Sequence, residues 1–268
     1  MKIYLNEIPL EIEPEKSIAA LVSAYKPSAD VLILNGFPVN SDRVLKEGDR
    51  LVLIKRGEIP TIEELDVLMT ARHTPGVHQK LKSASIGIAG CGGLGSNIAI
   101  ALARVGVGCL VIVDFDVVEP SNLNRQQYFI DQIGMLKVDA LKINLARINP
   151  AVKVQTQAIR LDATNIADVF KPTNVIVEAF DRADQKAMLV DTVESLFPDK
   201  PLVMGVGMAG YGGNNLLKSR SVGNLHVCGD EVSEAGFNFG LMAPRVGVVA
   251  CMQANQVLEI LLGSDPNM

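Results

Sequence analysis

Of the four cysteines, Cys91, Cys109, Cys228 and Cys251, no two stand in a CxxC pair. That excludes the usual zinc-ribbon spacing and a disulfide framework, and implies reduced, buried thiols. Basic residues are likewise never blocked together: 25 Lys and Arg against 30 Asp and Glu give a net charge of −5. A nucleic-acid binder relies on neutralising phosphates, so no nucleic-acid partner is expected. Long apolar runs are also missing. The N-terminus alternates polar and apolar residues, from which no signal peptide and a cytoplasmic protein are expected. The most apolar stretch, Val246–Leu262, is interrupted by Gln253, Asn255, Gln256 and Glu259 and reads as a buried helix, with no membrane partner. The three histidines, His73, His78 and His226, lack metal-ligand spacing. No internal repeat or low-complexity tract breaks the chain.

What is present is 48% hydrophobic residues over 268 positions, enough for a large domain and a small one. Residues 1–57 read as the small one. Ile3 and Leu5, then Leu10 and Ile12, alternate as two strands of a hairpin. Ser17 caps a short helix with Ile18, Leu21, Val22 and Tyr25 on one face. Strands follow at Val31–Leu34 and Leu51–Ile54, the first ending in the turn signal Asn35-Gly36. Hairpin, helix and two strands make a β-grasp order, α+β in class. Residues 58–84 form a polar, partly helical connector with Ile62, Leu65, Leu68 and Met69 at helical spacing. Over 85–268, short apolar strands at Ile86–Ala89, Leu110–Val113, Val152–Val154, Val175–Val177 and Leu202–Val206 alternate with helices. This predicts an α/β domain: a doubly wound, mostly parallel, Rossmann-like sheet covered on both faces.

Gly90-Cys91-Gly92-Gly93-Leu94-Gly95 directly follows the first strand of that domain. Glycines there allow a tight turn and bring backbone N–H groups to a phosphate at the positive end of a helix. Asp114 ends the next strand, 19 residues after Gly95, where an acid commonly binds ribose hydroxyls. Loop and acid together say nucleotide without saying which. The residues beyond discriminate: Asp114-Phe115-Asp116, then Ser121-Asn122-Leu123-Asn124-Arg125-Gln126, then Gly134-Met135-Leu136-Lys137, and Asp181 after a later strand. An NAD-dependent oxidoreductase has little need of such polar chemistry.

The spaced set GxGGLGS, DxD, SNLxRQ, GxxK and a strand-end Asp resembles the ubiquitin-activating-enzyme-like ATP-binding fold, and within it the shorter type of the ThiF family. The N-terminal segment resembles ThiS-type sulfur carriers, without their free terminal Gly-Gly: the chain continues through Lys55-Arg56-Gly57. That domain is therefore not expected to be the substrate. The resemblance implies ATP-dependent adenylation of the C-terminal glycine carboxylate of a separate ThiS-like carrier, in making the thiamine thiazole. It implies Asp114 on the ribose, Asn122, Arg125 and Lys137 on the triphosphate, and Asp181 holding Mg²⁺. Gly90, Gly92, Gly93, Leu94, Gly95, Asp116 and Gln126 complete the expected nucleotide contacts. Arg72 stands where relatives carry an arginine that reaches the partner subunit's ATP, which implies a homodimer. Arg182 and Lys186 are further candidate contacts. Unlike many relatives, the chain has no zinc-binding CxxC pairs, so no zinc is expected, and Met204–Tyr211 holds no cysteine for covalent sulfur transfer. Three alternatives stay open: another carrier or carboxylate (molybdopterin or cysteine pathway, or a tRNA nucleoside), an NAD enzyme, and a non-catalytic nucleotide-binding regulator.

Overall fold

A computed structural model describes residues 1–70, 73, 76–237 and 239–263. The chain divides into two compact units, Met1–His73 and Thr74–Met268.

In the first unit, β1 (Lys2–Leu5) and β2 (Ile8–Glu11) form a hairpin whose turn residues Asn6 and Glu7 both have positive φ, at 48° and 66°. Asn35 and Gly36, at 51° and 85°, make the same turn between β3 (Val31–Leu34) and β4 (Phe37–Pro38). This turn class matches the twist of paired strands. The closing strand β5 (Arg50–Ile54) lies between β1, to which it is parallel, and β3, giving the order β2-β1-β5-β3-β4. Helix α1 (Ile18–Tyr25) is capped by Ser17, whose hydroxyl accepts from the Ala20 N–H. Its buried residues Ile18 and Leu21 join Ile3, Leu5, Leu51 and Leu53 in one core, as a β-grasp requires. Helix α2 (Ile62–Thr70) also falls in this unit.

The second unit begins with the short helix α3 (Val77–Lys82) and strand β6 (Ser85–Ala89). From there the chain runs through α4 (Gly93–Arg104), β7 (Cys109–Val113), α5 (Lys137–Ile148) and β8 (Lys153–Gln157). It then crosses back through α6 (Ile166–Phe170), β9 (Val175–Glu178), α7 (Ala183–Leu196) and β10 (Leu202–Gly205). Strands β11 (Lys218–Val222) and β12 (Leu225–Gly229) and helix α8 (Ala243–Leu262) finish the unit. The sheet order is β11-β12-β10-β9-β6-β7-β8, and every pairing is parallel except β11 with β12. β6 is thus interior, with the chain winding first to one side and then to the other. In such a sheet the strand order reverses beside β6, and a ligand crevice opens at the carboxyl ends there.

Two apolar layers flank the sheet. Leu94, Ile98, Leu102, Leu141, Val246 and Val249 build one, and Ile166, Phe170, Leu189 and Val193 the other. Helix α8 is long and apolar enough, by length and composition, to cross a membrane. Its buried face, from Val246 through Gln253 to Val257, packs instead on α4 within the core. The third strand lies at Lys153–Gln157, further along than its apolar letters suggested, because edge position lets Gln155 and Gln157 alternate with Val154 and Thr156. The β11–β12 hairpin carries no continuous apolar run that would mark it in the sequence.

Candidate functional site

At the carboxyl ends of the strands, beside β6, lies a cavity of about 680 Å³. Gly90, Gly92, Gly93, Leu94, Asp114, Asp116, Arg125, Gln126, Lys137 and Asp181 all line it. Ten residues spread over ninety positions of sequence therefore meet at one place, because successive strands end side by side.

The glycine loop is held from several directions. The Asp114 carboxylate accepts the Cys91 N–H at 2.6 Å with one oxygen and the Asp116 N–H at 2.8 Å with the other. The buried Tyr128 hydroxyl donates to the Cys91 carbonyl at 2.7 Å, and its burial pushes the phenol far above its ordinary range. Gly90 has φ of 99°, open to glycine alone without strain. The 12-residue helix α4 starts at Gly93, so its positive end and its free N–H groups face the cavity.

Two expected nucleotide contacts take other places. Gly95 does not line the cavity: a Cβ on it would stand 1.9 Å from the Gly90 carbonyl oxygen, so its smallness lets the helix close onto the loop. Asn122 is buried in a 3₁₀ turn, Pro120–Asn122, where its side-chain oxygen accepts the Glu119 N–H at 3.0 Å. It shapes the turn that presents Arg125 and Gln126. Arg72 lies outside the described residues.

The charges differ in what they are free to do. Lys137 opens α5, and its Nζ donates to Asp116 at 2.9 Å with only 8% of the side chain exposed. Lys186 turns inward, donating to Glu178 at 2.6 Å and to the Gly205 carbonyl at 2.9 Å. Glu178 is wholly buried, and desolvation holds its carboxyl above the ordinary range against the pull of Lys186. Its other oxygen accepts the Phe180 N–H at 2.6 Å, which fixes the turn leading to Asp181. Arg182 forms a bidentate pair with Asp184 on the surface, which raises its pKa. Arg125 differs: it donates to the Ser121 carbonyl and the Asn124 side chain, and has no carboxylate in ion-pair range among the described residues. Its aliphatic stem lies beside Gly93 at the start of α4. A full positive charge and a helix terminus thus point at the same space. Gln126 is buried, and its side-chain oxygen has no hydrogen-bond partner among the described residues.

Asp181 is exposed at the cavity wall. Among the described residues no group of three or more His, Cys, Asp or Glu converges to hold a metal alone. A single carboxylate suits Mg²⁺, which takes its remaining ligands from phosphates and water. Glu178, its pairing with Lys186, and the buried pair Arg245–Asp230 escaped the sequence reading. Glu178 ends an apolar strand, and that placement was the available signal.

Comparison with known proteins agrees with this geometry. The model of the ThiF family matches residues 67–268, and that of a ThiS-like ubiquitin matches residues 1–57. The adenylyltransferase and sulfurtransferase UBA4 of Eremothecium gossypii is 34% identical over 194 residues, covering 69% of this chain and 43% of its own. UBA4 of Saccharomyces cerevisiae is 31% identical over 204 residues, covering 73% and 46%. The chain thus spans less than half the length of these relatives. Among solved structures, Escherichia coli tRNA N6-threonylcarbamoyladenosine dehydratase, TcdA, in complex with AMP superposes with a TM-score of 0.65 at 20% identity, covering 72% of this chain and 92% of its own. E. coli MccB with AMPCPP and MccA gives 0.56 at 21% identity, covering 75% and 63%. Both share the fold.

Proposed function

Since this chain belongs to the ThiF family and carries a ThiS-like domain ahead of it, we propose that it adenylates the C-terminal carboxylate of a separate ubiquitin-like sulfur carrier. The observation that carries the reading is the cavity itself: a glycine loop at a helix start, Asp114, Arg125 and the exposed Asp181 around one space.

A carrier carboxylate is already ionised at pH 7, so no general base is needed. Its oxygen attacks the α-phosphorus of ATP, a new P–O bond forms, and the bond to the β-phosphate oxygen breaks to release pyrophosphate. The work left for the protein is alignment and charge stabilisation. The glycine loop and the start of α4 hold phosphate through backbone N–H groups, and Arg125 adds a full charge. Asp114, fixed by two backbone donors, faces the ribose. Lys137 reaches phosphate by exchanging or sharing Asp116, which keeps the amine placed before substrate arrives. Asp181 would hold Mg²⁺, which neutralises phosphate charge when bound.

Covalent sulfur transfer through this chain is not part of the proposal. Thiolates are the reactive form; burial raises the Cys91 and Cys228 thiols, whereas Cys109 is half-buried and Cys251 exposed on α8, against the expected burial, and none of the four lines the cavity. The finer reading, a carrier for the thiamine thiazole, is supported by the ThiS-like character of residues 1–57. The relatives' sulfurtransferase name favours testing other Gly-Gly carriers beside it. The test is Mg²⁺-dependent ATP–pyrophosphate exchange with a panel of purified carriers. Exchange that needs one carrier and disappears when its terminal glycine is removed supports the reading, and absence with all of them sinks it. The proposal includes a homodimer in which Arg72 of the partner subunit completes the site. Mixing inactive Arg72→Ala and Asp181→Ala proteins would then restore part of the exchange, and no restoration would refute the shared site.

A further inference from the structure

The nucleotide half of the cavity faces a second wall, formed by Gly205–Met208 at the end of β10 and Ser233–Ala235 after β12. Most of it is small or apolar, with Glu234 its acidic group, so it suits a slender extended chain better than a phosphate. Its backbone is tied at separate points: Val206 pairs with Cys228 and Glu231, the Gly207 carbonyl accepts the Asp230 N–H, and Gly210 donates to the Gly240 carbonyl. Between β10 and β11 only a 3₁₀ turn, Asn214–Leu216, is regular, and Gly207, Gly210, Gly212 and Gly213 all have positive φ. Glycines in such number leave a segment unusually free unless something else restrains it.

Beyond these backbone bonds, a side-chain restraint comes from α8. Arg245, in its first turn and 6% exposed, donates through Nη2 to Asp230 at 2.5 Å and through Nη1 to the Gly212 carbonyl. Asp230 is itself 4% exposed on the side chain. Its Oδ1 accepts the Val232 and Ser233 N–H groups at 2.9 and 2.8 Å, and the Ser233 hydroxyl donates to its Oδ2. Gly207 packs so closely on this carboxylate that a Cβ would stand 2.0 Å from Oδ1. One ion pair thereby joins the start of α8, the glycine-rich segment and the turn that carries Ser233. Neither Arg245 nor Asp230 lines the cavity. Burying two charges is a weak way to gain stability, and fixing a position is the better-attested use of such a pair.

We infer that Arg245 and Asp230 are positioning residues that hold the acceptor-side wall in register with the nucleotide. They set affinity for the extended carboxyl-terminal peptide of the acceptor, not for ATP. The inference rests on the adenylation reading.

The test uses the full chain as Asp230→Asn and Arg245→Lys. Three quantities are measured: Kd for Mg-AMPCPP by calorimetry, KM for the carrier in ATP–pyrophosphate exchange, and amide hydrogen exchange of residues 205–213 against 90–95. A misplaced wall predicts a carrier KM raised about 10- to 100-fold in Asp230→Asn. The nucleotide Kd stays within about twofold. Residues 205–213 exchange faster, and residues 90–95 do not. Arg245→Lys, which keeps a cation beside Asp230, recovers part of the loss and carries the comparison if Asp230→Asn does not fold. An unchanged carrier KM, or a parallel loss of nucleotide affinity, overturns the inference while leaving adenylation standing. Wild-type protein without exchange on any carrier counts against adenylation, and the acceptor role falls with it. Hydrogen exchange then decides the wall-holding role, and unchanged protection overturns that too.

Discussion

Replacing Gly95 by alanine tests how the nucleotide loop is built. The added methyl would lie 1.9 Å from the Gly90 carbonyl oxygen and 2.9 Å from its carbon. Contacts under 3.0 Å are not sustained by real Cβ atoms, so loop and helix must separate by about 1 Å. Backbone cannot rotate aside as a side chain can, and Tyr128 and Asp114 both hold the loop in place. Alanine's better helix propensity returns at most about 1 kcal/mol, whereas overpacking costs about 1–3 kcal/mol. Steric strain wins. The net loss lowers the melting temperature of the larger unit by several degrees, at roughly 2–4 °C per kcal/mol. The functional effect is larger, because a 1 Å misplacement costs about 100-fold. Calorimetric titration with Mg-AMPCPP reads that loss, and thermal unfolding reads the other. Gly92→Ala is the steric control: its Cβ meets nothing closer than the Gln126 amide nitrogen at 3.9 Å, so its loss of stability is confined to the N-cap preference for glycine over alanine, about 1 kcal/mol. If Gly95→Ala binds nucleotide within about twofold of wild type, the close approach of loop and helix does not set the phosphate site.

Asn122→Ala should cost about 0.5–2 kcal/mol of stability through its lost turn-capping bond while leaving nucleotide Kd nearly unchanged; a Kd that rises without loss of stability would restore Asn122 as a direct contact. Asp181→Ala should abolish Mg²⁺-dependent exchange with no change in melting temperature, since the side chain is exposed. Retained exchange would place the metal elsewhere. Burial opposes ionisation of Asp230, but hydrogen bonds from Ser233, Val232 and Arg245 hold its pKa at about 2, below the ordinary 3.8. A depressed carboxylate stabilises the fold fully above 3.8 and loses that contribution as pH falls through about 2. The contribution is roughly 2 kcal/mol. Denaturant unfolding between pH 5 and pH 2 should therefore show an acid-dependent loss that Asp230→Asn lacks, and identical pH slopes would refute the assignment.

Much of this molecule is legible along the chain. Strand–helix alternation, the glycine loop and the acid after the second strand depend on local geometry: period, turn chemistry and distance along the sequence. They point to the two fold classes, to the cavity's position and to the phosphate-loop and Asp114 part of its lining. Family motifs then placed Arg125, Lys137 and Asp181 at the site. What letters cannot show is how side chains divide their partners. Lys137 and Arg125 read alike as phosphate cations, yet tertiary packing ties one to the Asp116 carboxylate and gives the other only neutral partners, Ser121 and Asn124, among the described residues. Gly95 and Asn122 carry the motif but face inward, because a close approach and a turn require them there. Arg245 and Asp230 are fifteen residues apart and form no recognisable pattern. Their pairing exists only because α8 folds back beside β12, and long-range burial of charge is decided by that return of the chain and not by any local spacing.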